Sequence, residues 1–132
     1  MKKKGKVLFA LAMMFVMVGV VCAANRVIDK TTTLEYNKTV SGQGMLGVDF
    51  KTGLEDIKVS GGISTATVET KLQKKILGIW TTSGTTKNAL NKDSTSSVET
   101  YWGNNKEVLT KVIWKNLTSY STIKANFFAE NN

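Results

Sequence analysis

The stretch TVETKLQKKILGIWTT, Thr67 to Thr82, decides how this chain is read. Its lysines and apolar residues could form a cationic, membrane-seeking segment or an ordinary β-hairpin. Alternation favours the hairpin. Ala66, Val68 and Leu72 fall on one side of an extended chain, and Thr65, Thr67, Glu69 and Lys71 on the other, the period of two that a half-buried strand shows. A three-residue loop Ile76–Gly78 puts the glycine at the left-handed position such loops need, pairs Lys75 with Ile79 and Lys74 with Trp80, and turns Trp80 inward. A four-residue loop Lys75–Gly78 pairs Gln73 with Trp80 and turns it outward, because a slip of one residue reverses every side chain. The position of the glycine favours the three-residue loop. In that register Ile76 and Leu77 project beside Lys74 and Lys75 at a turn, where polar residues are the norm.

The same period runs outward along the chain. Candidate strands are 32–40, 45–51, 56–60, 63–74, 79–86, 97–102, 108–114 and 118–128, rich in Thr, Ser, Val and Ile, in a sequence without proline. SGQG (41–44), KTG (51–53), SGG (60–62), NALNKDSTS (88–96) and WGNN (102–105) read as turns or loops. The expected fold is all-β, a single antiparallel β-sandwich of the immunoglobulin-like kind. Core faces are expected at Val108, Val112 and Trp114 and at Ile123, Ala125 and Phe127, with Lys58, Lys71, Lys111, Lys115 and Lys124 outward.

Residues 1–24 read as a signal peptide helix. Lys2, Lys3, Lys4 and Lys6 precede an uncharged apolar run, Val7 to Ala24, that ends in small residues. Cleavage after Ala24 or Ala23 leaves one domain, residues 25–132, exported and expected outside the cell or on its surface. Of eighteen basic residues four lie before Asn25, and all ten acidic residues lie after it, so the processed chain carries +4. Cys22, the one cysteine, leaves with the leader, and histidine is absent.

These absences exclude a zinc site and a His-assisted nucleophile. Glu55 and Asp56 are adjacent, so an extended chain points them apart, which is unsuited to paired-carboxylate hydrolysis. No catalytic residue, metal or cofactor is expected, and an exported protein offers little occasion for nucleic-acid binding. The sequons at Asn37 and Asn116 match a glycosylation pattern short enough to arise by chance. The candidate contact residues are Lys74, Lys75, Ile76 and Leu77 at the turn, and Tyr101 and Trp102 at a strand end. Of the last pair, one faces outward.

The segment Thr67–Thr82, in which Leu-Gln-Lys-Lys turns through a glycine into Trp-Thr, resembles a hairpin of small secreted proteins of Firmicutes. The resemblance implies a β-sandwich behind a signal peptide and carries no catalytic or ligand residue. Three functions are therefore expected. The first is non-enzymatic association with an anionic cell-wall polymer or lipid headgroups. The second is a secreted bacteriocin-like or membrane-active role, and the third is a subunit of a surface assembly.

Overall fold

A computed structural model describes residues 26–103 and 105–132; the leader read at residues 1–24 lies outside them. Eight strands follow one another: β1 (Arg26–Glu35), β2 (Thr39–Leu46), β3 (Phe50–Gly61), β4 (Thr65–Ile76), β5 (Ile79–Asn91), β6 (Ser97–Trp102), β7 (Val108–Asn116) and β8 (Ser121–Asn131). They form two antiparallel four-stranded sheets, ordered β1-β8-β3-β6 and β2-β7-β4-β5.

The pairing has a simple logic. β4 pairs with β5, β3 with β6, β2 with β7 and β1 with β8, so the chain is one long antiparallel ribbon doubled back at the β4–β5 turn. Rolling that ribbon over itself adds the β3–β8 and β4–β7 pairings and closes two sheets, the order of an eight-stranded jelly roll. An immunoglobulin-like sandwich keeps its first two strands in one sheet, whereas β1 and β2 here lie in different sheets. The sandwich expectation holds, and its immunoglobulin-like connectivity does not. Alternation along a strand fixes faces but not partners, so local pattern left the connectivity open.

Both inner faces feed one core. Phe50, Leu54, Ile123, Ala125, Phe127 and Ala129 come from the first sheet, and Leu46, Ala66, Val68, Leu72, Leu90, Val112 and Trp114 from the second. Trp114 and Phe127 meet across the layers with ring centroids 5.5 Å apart and planes tilted by 60°, a favourable edge-directed geometry. The indole N–H of Trp114 has no acceptor among the described residues.

Two segments read as turns lie wholly within strands, and residues 88–91 of a third, NALNKDSTS, are the end of β5. SGQG lies within β2 and KTG within β3. Gly42 and Gly44 are there because β1 crosses close by. A Cβ on Gly42 would stand 2.7 Å from the Ile28 side chain, and one on Gly44 would stand 2.2 Å from that of Val27. The first strand accordingly begins at Arg26 and ends at Glu35, and the turn falls at Asn37, whose φ is 62°. Asn116, of the second sequon, is fully buried. Its amide donates to the carbonyls of Leu34 and Ser121 and to Ser121 Oγ, and its oxygen accepts from the Thr118 N–H, so it ties three strand ends rather than facing solvent.

The outward face of the first sheet carries an ion-pair layer. Arg26 donates to both carboxylate oxygens of Glu55 at 2.6 and 3.0 Å and to Glu130 at 2.9 Å, with Asp29 at 3.3 Å. Asn126 bridges Asp29 and Glu55, and Lys51 joins Glu99 to Glu130. Under the Arg26 guanidinium, 4.1 Å from it, lies the ring of Phe128, only 2% exposed although it faces away from the core. Gly53 makes room for that ring, since a Cβ there would lie 2.8 Å from it. Burial opposes the Arg26 charge, but hydrogen bonds to Glu55 and Glu130 outweigh it and raise the pKa. The hydrogen bond from Arg26 in turn holds the Glu55 carboxyl below its usual range.

Candidate functional site

The turn at the tip of the ribbon has two residues, not three. Lys75 pairs with Trp80 and Ile76 with Ile79, leaving Leu77 and Gly78 as the loop. Both have positive φ, 51° and 78°, as a type I′ hairpin turn requires, since its twist matches that of the flanking strands. The sequence reading placed a single left-handed position at the glycine and so lengthened the loop. A leucine at the first left-handed position is unusual. Asn, Asp or Gly is preferred there, and a branched side chain costs on the order of 1 kcal/mol in that backbone region. Leu77 is 96% exposed, with Ile76 and Ile79 beside it at 53% and 67%. The hairpin thus carries three bare apolar side chains on a backbone that does not favour them.

The two-residue loop turns Trp80 outward, which corrects the inward placement. It lies on the outer face of the second sheet with Lys111 Nζ 4.4 Å and Lys75 Nζ 5.6 Å from its ring centroid. These contacts hold β5, β4 and β7 together across the face, and an ammonium over an indole is attracted by the ring's negative face. Lys71, Lys75, Lys87, Lys111 and Lys115 share this face with a single carboxylate, Glu69. Among the described residues none of these lysines is in a salt bridge.

Lys74 takes the opposite side of β4, across from Thr110. Its ammonium donates to Asn105 Oδ1 at 2.9 Å, while the Asn105 N–H donates to the Val48 carbonyl at 3.0 Å. The hairpin, the β6–β7 loop and the β2–β3 turn are thereby joined at one end of the sandwich. Burial pushes the Lys74 pKa down. Exposed Met45, Val48 and Tyr101 belong to the strand ends and turn at this same end.

Of the sequence-predicted contacts, Lys74, Lys75, Ile76 and Leu77 therefore gather at the tip. Tyr101 is exposed and lies beside Lys51 on the first sheet's outer face, 5.8 Å from its ammonium. Trp102 is turned inward and partly buried. It packs against the core, donates its indole N–H to Thr52 Oγ1 at 3.0 Å, and approaches Gly84 closely enough to exclude a Cβ there. Sequence reasoning missed Ile79, Trp80 and Lys106 as members of the site. The adjacent Ile79 and Trp80 after Gly78 carried a usable signal, because one of two neighbouring strand residues must face outward. Lys106 had none, since only the return of the β6–β7 loop brings it near.

Among the described residues no group of three His, Cys, Asp or Glu side chains gathers as metal ligands would. No protein-family model matches this chain, and no curated protein matches it.

Proposed function

We infer that this is an exported, non-enzymatic jelly-roll protein that docks on the anionic face of a membrane through the end of its β4–β5 hairpin. The observation that carries the reading is the exposed Ile76-Leu77 and Ile79 cluster, held on a strained turn with Lys74, Lys75 and Lys106 around it. Apolar insertion and basic attraction reinforce each other at an anionic interface. Each nearby lysine contributes on the order of 1 kcal/mol, screened by salt, and burying one leucine side chain contributes about 2 kcal/mol. Trp80 stands one residue behind the tip, the depth at which an amphipathic ring suits the headgroup layer.

Flotation with vesicles tests this, using residues 25–132, the segment that holds both sheets and the core that they bury among the described residues. The expected result is binding to phosphatidylglycerol-containing vesicles that weakens with salt, little binding to phosphatidylcholine alone, and loss with Leu77→Asn. Binding to purified anionic wall polymer with none to vesicles would replace the lipid by the polymer. Dye release from the same vesicles would favour the bacteriocin-like role instead.

A further inference from the structure

Between the β4–β5 hairpin and the loop leading into β7 is a cleft of about 420 Å³, lined by Lys74, Lys75, Ile76, Asn105, Lys106 and Val108. Three of these six are lysines and none is a carboxylate. Lys74 enters from the core side of β4 and is met by a neutral amide oxygen, that of Asn105. No salt bridge among the described residues reaches any of the three. The lowered pKa of Lys74 reflects a charge that has lost solvent without gaining an anion. A bound oxyanion would relieve that penalty.

The donor set points to the kind of anion. Carboxylates fit the planar fork of arginine, whereas separate lysine point charges suit a tetrahedral group that accepts from several directions. A sugar ring would want an aromatic platform, but Trp80 faces the other side of the hairpin beneath Lys75 and Lys111. Ile76 and Val108 supply an apolar wall beside the exposed tip. We propose that this cleft binds the phosphate of an anionic glycerophospholipid headgroup, with Lys74 and Lys106 as its direct ligands and Ile76 and Val108 against the adjoining apolar part of the lipid. The assignment rests on the membrane-docking reading and gives it a specific headgroup site.

Two pairs of substitutions with the same loss of charge separate a site from general attraction. Lys74→Gln with Lys106→Gln removes the proposed ligands, and Lys87→Gln with Lys115→Gln removes two lysines from the outer face of the second sheet. Flotation with mixed phosphatidylglycerol and phosphatidylcholine vesicles should show a loss of at least about tenfold for the first pair and less than about threefold for the second. Thermal melts of all three proteins establish that each is folded. In parallel, glycerol 3-phosphate titrated into the wild type should shift the amide resonances of Ile76, Asn105 and Val108, and should leave them unmoved in the first pair. Equal losses in the two pairs, or no shifts in the wild type, would overturn the cleft while leaving membrane docking intact. Wild-type protein that binds no vesicle of any composition would overturn both.

Discussion

The two outer faces of this sandwich handle charge in opposite ways. On the first sheet Arg26, Lys51, Asp29, Glu55, Glu99 and Glu130 are tied into a continuous set of ion pairs that roofs Phe128. On the second sheet five lysines stand against one glutamate, none of them in a salt bridge among the described residues, and Lys75 and Lys111 lie over the ring of Trp80. The saturated part of the first face stabilises the fold and has little left to offer a ligand, while Lys58 and Lys124, opposite each other on that face, are in no salt bridge among the described residues. An unsaturated face gives up stability and keeps its charge available, and it runs toward the hairpin end that carries the bare apolar tip. The difference supports the proposal that places function on the second sheet, and it leaves the ion-pair layer of the first to the stability of the fold.

The sharpest way to break that contrast is to remove its strongest structural member. Arg26→Ala opens the bidentate pair with Glu55 and uncovers Phe128, and should lower unfolding stability by about 2 kcal/mol in urea titrations, discounted for partial exposure. A loss under about 0.5 kcal/mol would mean the ionic layer is decorative. Acid addresses the same layer. Because Glu55 has a folded pKa below its unfolded one, its contribution is present above the ordinary carboxylate value, about 4.3, and is lost as pH falls through the folded value. Urea midpoints followed downward through that range should therefore fall more steeply for wild type than for Glu55→Gln, which lacks the contribution at every pH.

Smaller effects are expected on the other face. Trp80→Ala should cost about 1 kcal/mol, and a double-mutant cycle with Lys111→Ala should recover about half of that as coupling between the two. An additive cycle would show that the indole is held by packing alone. The smallest change carries the opposite sign. Leu77→Asn should raise stability by about 0.5 kcal/mol, because asparagine tolerates the left-handed backbone at the first loop position. If that variant is both more stable and weaker on anionic vesicles, the exposed leucine is kept against the preference of the fold.

Several core positions were legible in the sequence because alternation is a local property. Ala66, Val68 and Leu72 on β4, Val112 and Trp114 on β7, and Ile123, Ala125 and Phe127 on β8 are all buried as the period of two requires. Phe128 could have been flagged as well: two adjacent phenylalanines must face opposite sides of a sheet, so the outer one needs a cover. Its cover could not be named, since Arg26 and Glu130 stand at opposite ends of the described chain. Gly42 and Gly44 misled for a similar reason. A glycine that opens a turn and one that admits a neighbouring strand look the same until the neighbour is placed.

By itself the sequence determined an all-β chain, its main inward faces, and the apolar-basic tip at Ile76 and Leu77, because each depends on spacing within one strand or one turn. Tertiary structure decided the jelly-roll order, the outward turn of Trp80, the packing of Trp102 against the core and the placing of Lys74 and Lys106 on one cleft. Those outcomes depend on which distant strands pair and in what register, and a shift of one residue in register exchanges one face of the sheet for the other.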